Sequence, residues 1–171
     1  DLDCAGREDR DKGTAQIEDC RLVGPDLAEI ELGARVEKAD PTFWAAIDGE
    51  DVAAMVHSNV VLVKARLVLA DKGLIEKAFR GTALLSRRPV DEVRQAFAQQ
   101  VRRFQPAGVL ITEDLTKLLD TAARFVEKGG TLTIEANPDP PFGLAKIGYL
   151  MKPGPDLIDL LGISAKLEPK R

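Results

Sequence analysis

The sequence predicts an α+β domain: a mostly antiparallel sheet of about five strands, with helices packed on one of its faces. Two observations support this fold class. Five short segments alternate apolar and polar residues with period two, which is typical of strands that bury one face. Four of these segments are separated by runs in which apolar residues recur at helical spacing, so helices are available to cover the apolar face.

The five predicted strands span residues 14–22, 27–38, 59–70, 131–136 and 163–168. The third strand shows the alternation most clearly. Its apolar set is Val61, Val63, Ala65, Leu67 and Leu69. Lys64 and Arg66 lie between these residues and are expected to face water. Gly24-Pro25-Asp26 is a turn signal between the first two strands, which predicts an antiparallel hairpin.

Three long helices are predicted over 72–86, 89–105 and 113–128, because apolar residues recur there at helical spacing. A short helix is predicted to start at Asp40-Pro41, since Asp suits the N-cap and Pro the first helical position. The other short helices are expected at 50–57, near 143–151 and near 155–161.

The chain is predicted to divide into a flexible polar arm over 1–13, a single α+β domain over 14–168 and a tail over 169–171. Its 171 residues suit one domain, and 44% hydrophobic with 30% charged residues argues against disorder of the whole chain. The net charge of −4 argues against nucleic-acid binding. No apolar run reaches the roughly 20 residues of a membrane helix, so no transmembrane segment is predicted. The chain opens on Asp1 rather than Met, which indicates a processed or trimmed product.

The two cysteines, Cys4 and Cys20, are predicted to form a disulfide. It would close a loop of about 15 residues, be worth roughly 3 kcal/mol and tether the polar arm to the first strand. A disulfide indicates an oxidising compartment. The alternative is two unrelated thiols of a cytosolic protein. We favour the disulfide because nothing else explains a cysteine in such a charged arm.

No catalytic, cofactor or metal motif is found in the sequence. His57 is the only histidine, which excludes multi-histidine metal sites, and it lies at the end of a short helix. Asp9 and Asp11 suggest a calcium loop, but its sixth position would be Thr14 and its twelfth Cys20, so the match fails. The sequence therefore predicts no enzyme, no cofactor and no metal; a carboxylate-based enzyme is the weakest hypothesis.

The most basic region runs from just before the helix predicted at 89–105 to the end of that helix. It contains Arg87, Arg88, Arg94, Arg102 and Arg103. An anion or RNA surface is conceivable there. However, Asp91 and Glu92 lie on the same helix, and aromatic residues are not interleaved as base stacking requires. We therefore expect a solvated helix face.

The helices carry more apolar surface than one face of a five-stranded sheet needs. The surplus is expected to pack in the core, to form a groove for a lipid, or to be buried against a partner protein. The candidate groove residues are Leu74, Ile75, Phe79, Phe142, Leu144, Ile147, Tyr149 and Met151.

Two segments resemble strand-to-helix units of poorly characterised bacterial envelope proteins: LVLADKGLIEKAF, which ends at Phe79, and GGTLTIEANPDPPFGLAKI over 129–147. Those proteins are membrane-anchored or periplasmic, and some are suspected of roles in lipid or envelope maintenance. The resemblance implies a periplasmic location, in agreement with the predicted disulfide. It assigns no functional residue.

The sequence thus predicts a non-catalytic cell-envelope domain, periplasmic or otherwise extracytoplasmic, that acts through protein–protein or scaffold contacts. The alternative is a domain that binds or carries a hydrophobic ligand such as a lipid. The ligand, the partner and the oligomeric state are not specified by the sequence.

Overall fold

The structure is a computed structural model that describes residues 1–105, 110–146 and 156–170. The strands within these ranges are β1 (Leu2–Asp9), β2 (Thr14–Gly24), β3 (Ala28–Glu37), β4 (Val61–Asp71), β5 (Thr131–Ala136), β6 (Phe142–Gly143) and β7 (Ile163–Glu168). The helices are α1 (Pro41–Asp48), α2 (Val52–His57), α3 (Leu74–Ser86), α4 (Val90–Arg102), α5 (Glu113–Lys128) and α6 (Leu157–Leu160), with a 3₁₀ turn at Leu144–Lys146.

All strands of the described residues belong to one open antiparallel sheet. Its order is β1-β2-β3-β4-β5-β7, and β6 pairs with the start of β4. The predicted fold class, a mixed α+β domain with an antiparallel sheet, is therefore confirmed. The sheet has two strands, β1 and β6, beyond the five that were predicted.

The N-terminal residues form a strand, so the prediction of an irregular arm over 1–13 was wrong for Leu2–Asp9. Leu2 lies opposite Leu22 of β2, and Asp9 lies opposite Thr14. The charged composition of this segment misled the prediction. At the edge of a sheet nearly every side chain of β1 is exposed, so polar and charged residues do not oppose strand formation there.

The disulfide predicted from the sequence is present in the structure. Cys4 lies directly opposite Cys20 in the β1–β2 ladder, with their Cα atoms 4.0 Å apart. The bond joins the edge strand to its neighbour near the N-terminal end of β1. Backbone hydrogen bonds in both directions between Asp1 and Val23 hold the same end of the strand.

The sheet has one apolar face and one polar face, as the alternation predicts. One row of directly opposed residues crosses β2, β3, β4, β5 and β7: Leu22, Ile30, Leu69, Leu132 and Leu167. On the other face, Lys64 and Arg66 lie 3.7 and 3.8 Å from Glu135 and remain exposed at the surface.

A bulge in β4 shifts the alternation by one residue near the start of the strand. Arg35 lies opposite Lys64, but the next residue, Val36, lies opposite Leu62, so Val63 is the extra residue. Leu62 therefore shares a face with Val36. Val61 lies opposite Glu37, on the other face. The prediction that Val61 and Val63 belong to the apolar set was therefore wrong, because periodicity alone does not reveal an inserted residue.

The helices cover only part of the apolar face. α5 packs on β7 and β5, α4 packs on α5, and α3 packs chiefly on α4. A separate core cluster joins α1 to the sheet, and it consists of Ala39, Phe43, Trp44 and Val60. Ala15 of β2 and Val36 of β3 pack against this cluster. The rest of the apolar face on β1, β2 and β3 has little cover from the residues that the structure describes.

We predict opposite effects for two glycine-to-alanine substitutions. Gly130 has φ +109°, and a Cβ there would lie 2.2 Å from the carbonyl oxygen of Glu168, so G130A should destabilise the fold by about 2–4 kcal/mol. Gly81 lies within α3, and a Cβ added there would meet no atom within 4 Å, so G81A should stabilise the fold by about 0.5–1 kcal/mol. Urea unfolding of both variants measures these changes; equal effects would contradict the prediction.

We also predict that removal of the disulfide destabilises the protein. Replacing Cys4 and Cys20 together by serine should lower the free energy of unfolding by about 3 kcal/mol, because the cross-link restricts the unfolded chain over a separation of 16 residues. Urea unfolding with and without dithiothreitol measures this. The reductant should destabilise the parent protein and leave the double variant unchanged, and a reductant effect on the variant would contradict the assignment.

Candidate functional site: apolar surfaces outside the core

An exposed apolar area on the first three strands, here called the sheet patch, is the first candidate. It consists of Leu2, Ile17, Leu22 and Leu32, whose exposed fractions lie between 42% and 69%. Leu2 lies opposite Leu22, and Leu32 lies opposite Cys20. Directly opposed residues share a face, so the patch lies on the same face that α5 covers at the other edge of the sheet.

A groove of about 490 Å³, here called the tryptophan groove, adjoins the sheet patch because Ile17 belongs to both. Trp44 of α1 and Val36 of β3 line it with mostly apolar neighbours. Trp44 is buried, and its Nε1–H has no hydrogen-bond acceptor among the described residues. Buried indole N–H groups usually have an acceptor, so this unpaired donor is an unusual feature of the groove wall.

Arg10 holds one side of the tryptophan groove in place. Its guanidinium lies 5.1 Å from the centre of the Trp44 ring, within the range of a cation–π contact. The same guanidinium donates hydrogen bonds of 3.0 and 3.1 Å to the two carboxylate oxygens of Asp48. These bonds favour the charged carboxylate and lower the pKa of Asp48. The β1–β2 loop is thereby tied to α1.

The second candidate is a groove of about 600 Å³ between α3 and α4, here called the helix groove. Its apolar lining consists of Leu74, Ile75, Ala78, Phe79, Val93, Ala96, Phe97 and Val126. The rings of Phe79 and Phe97 meet edge to face, with centroids 5.6 Å apart. Leu74 and Phe97 remain 41% and 47% exposed, so the groove opens to solvent.

The start of α3 is fixed by Asp71, the last residue of β4. Its buried carboxylate accepts hydrogen bonds from the backbone N–H groups of Gly73 and Ile75, both at 3.1 Å. These bonds satisfy donors that a helix N-terminus leaves without partners. The backbone N–H of Leu74 also donates to the carbonyl of Leu27, so α3 is tied to the β2–β3 turn.

Charged residues surround the helix groove and connect its walls to α5. Arg94 of α4 pairs with Glu76 of α3 and donates a hydrogen bond to the backbone carbonyl of Glu127. Arg102 bonds to Asp120 at 3.0 Å and to Glu127 at 2.7 Å. The hydrogen bonds from Arg102 lower the pKa of Glu127, because they favour its charged form. This network fixes α4 on α5.

The structure does not bring all of the predicted groove residues together. Leu74, Ile75 and Phe79 line the helix groove. Phe142 lies in β6 opposite Leu62, and Leu144 lines the tryptophan groove. The remaining predicted positions lie outside the described residues: Ile147, Tyr149 and Met151.

Sequence reasoning missed the sheet patch and the tryptophan groove. Ile17 and Leu32 alternate with polar residues, which predicts that both are buried. Alternation shows which face is apolar, but not whether a helix reaches that part of the sheet. The signal in the sequence that could have indicated these surfaces is the surplus of apolar residues. That surplus was assigned to the helices alone.

The described residues contain no cluster of three or more His, Cys, Asp or Glu side chains that could hold a metal ion. His57 is the last residue of α2 and is exposed. Among the helices that the structure describes, none has the length and apolarity needed to cross a membrane.

Comparisons with curated proteins and with solved structures found no match to this chain. A family model described as "Uncharacterized protein" matches residues 21–168. This range contains β3 to β7 and every helix given above. Because the match covers most of the sequence, the chain belongs to this family of uncharacterized proteins.

Proposed function

We propose that the chain is a non-catalytic domain of the bacterial cell envelope that holds a protein partner on the sheet patch. A flat apolar area of a sheet suits a broad contact with another protein. The observation that carries the proposal is the exposure of Leu2, Ile17, Leu22 and Leu32 on one face of three neighbouring strands.

The energetics of the sheet patch favour a protein partner. Full burial of a leucine or isoleucine side chain is worth about 1.5–3 kcal/mol. The patch contains four such side chains that the fold leaves in water. A protein partner that covers the patch would bury these four side chains.

The location outside the cytoplasm is supported by the disulfide. Cys4 and Cys20 are bonded to each other, and no described cysteine is free. Disulfides persist in oxidising compartments such as the bacterial periplasm and are rare in the cytosol. The resemblance of the segments around 67–79 and 129–147 to envelope proteins agrees with this location.

Site-specific photo-crosslinking in cells tests the proposal. A benzophenone amino acid replaces Leu32 on the sheet patch in one variant. In the matched control it replaces Glu31, the adjacent residue of β3, which lies on the opposite face. We expect a discrete crosslinked species of higher mass from position 32 and none from position 31, with a protein component identified by mass spectrometry. The absence of a crosslink at 32, or equal crosslinks at both positions, would contradict the proposal.

A second candidate function is the binding of a hydrophobic ligand with an acyl chain in the helix groove. Its volume of about 600 Å³ lies within the range of roughly 300–1,000 Å³ that small-molecule pockets occupy. Most of the lining is apolar, and the charged Arg88 and the amide of Gln100 are among its few polar residues. This arrangement suits an acyl chain inside the groove with a polar head near Arg88.

Equilibrium dialysis with radiolabelled palmitate tests the second candidate. Ala96 lines the helix groove, so the larger side chain of A96W should fill it. Palmitate affinity should then fall at least about tenfold, which corresponds to a loss of more than about 1.4 kcal/mol of binding free energy. Gln99 lines the polar side of α4 instead, so Q99W adds the same ring outside the groove and should bind like the parent protein. No binding by the parent protein, or equal binding by both variants, would exclude this function.

A further inference from the structure

We propose that the turn between α3 and α4 docks on an anionic phospholipid surface. This turn, here called the hairpin tip, consists of Leu84, Leu85, Arg87 and Arg88. The site is distinct from the sheet patch, and it shares only Arg88 with the lining of the helix groove. It adds a membrane contact that neither proposed function requires.

The two leucines of the hairpin tip are the most exposed large apolar side chains of the described residues. Leu84 is 81% exposed and Leu85 is 90% exposed. They lie in the last turn of α3, and neither lines the helix groove. They contribute little to the packing of this fold, and adjacent exposed apolar residues are typical of a surface that binds something apolar.

The hairpin tip is held in a defined shape. Arg87 adopts the left-handed conformation, with φ +53°, and its backbone N–H donates to the carbonyl of Ala83. The backbone N–H of Arg88 donates to the same carbonyl at 3.2 Å. Ala83 is buried, and Pro89 follows at the N-cap of α4. The leucines are therefore presented by an ordered helix end rather than by a loose loop.

The charges around the leucines match a phospholipid surface better than an apolar protein groove. Arg87 is exposed, and it forms no ion pair with another described residue. Arg88 pairs with Glu92 at 3.5 Å, and both side chains are more than half exposed, so this pair is easily exchanged for another anion. Guanidinium groups bind phosphate strongly, and long basic side chains reach the headgroups while neighbouring apolar groups enter the acyl region.

Two acidic residues lie near the hairpin tip. Asp91 and Glu92 are in the first turn of α4, and Glu92 pairs with Arg88, so their charges offset part of this attraction. Glu76 lies at the other end of α3 and pairs with Arg80 and Arg94. The chain as a whole has a net charge of −4. An anionic membrane must therefore attract the hairpin tip and not the chain as a whole. This predicts that the protein binds in one orientation, with the hairpin tip toward the lipid.

Vesicle flotation with the complete chain tests the proposal. The parent protein is expected to float with vesicles of phosphatidylglycerol and phosphatidylcholine, and much less with phosphatidylcholine alone. L84S/L85S should lower the partition coefficient more than about tenfold. The transfer of one leucine side chain from water into the apolar part of the membrane raises this coefficient by more than about a factor of ten. R87Q/R88Q should lower it about tenfold on the anionic vesicles. The four side chains are exposed, so unchanged thermal unfolding is expected and serves as the check of folding.

L2S/L22S is the matched control, because it removes two exposed leucines from the sheet patch. This variant should float like the parent protein. The proposal is overturned if the parent protein does not float, if it floats equally with both lipid compositions, or if L84S/L85S floats normally. It is also overturned if the control loses as much binding as L84S/L85S, since adsorption would then be due to apolar exposure in general. None of these outcomes depends on palmitate binding or on the crosslink at position 32.

Discussion

The packing of α5 on β5 and β7 is the interaction on which the arrangement of the other helices depends. Leu115, Ala123 and Phe125 of α5 are buried, and Arg102 ties α4 to Asp120 and Glu127 of α5. α3 then packs chiefly on α4. The long helices are therefore stacked outward from α5 instead of spread across the sheet. As a consequence, one edge of the apolar face is covered and the other edge is left to solvent.

This stacking explains why two kinds of apolar surface occur in one small domain. The sheet patch exists because none of the long helices described above, α3, α4 and α5, packs on β1, β2 and β3. The helix groove lies between α3 and α4, which meet at a few residues, among them Phe79 and Phe97. The hairpin tip lies at the free end of the same helix pair. The stacking of helices on helices thus creates all three surfaces.

The elements with strong local signals were predictable from the sequence. α5 has the predicted bounds, 113–128, because Thr112 caps its start and Gly129 ends it. β5 and β7 also have their predicted bounds, since turn residues flank them. β1 was missed because an edge strand needs no apolar alternation. The bulge at Val63 was missed because an inserted residue leaves no periodic trace.

The candidate site was less predictable for a different physical reason. The residues Leu74, Ile75 and Phe79 follow one helical stripe, so their common surface could be read from spacing. Phe142 and Leu144 were joined to them only because they are apolar, and the chain places them beside α1 and β4 instead. Which apolar residues meet depends on tertiary packing. The sheet patch is the clearest case. Its residues alternate with polar residues in the sequence, as buried residues of a sheet do, but they are exposed in the structure.

The disulfide has a structural role that follows from this exposure. In most sheets, an edge strand is held by burial of its side chains, but seven of the eight residues of β1 are exposed. Backbone pairing with β2 and the Cys4–Cys20 bond are therefore the main interactions that hold β1 on the sheet. Leu2 reaches the sheet patch only when β1 is paired, since it must lie opposite Leu22. The bond that stabilises the edge strand thus also maintains one side of the surface proposed to bind a partner.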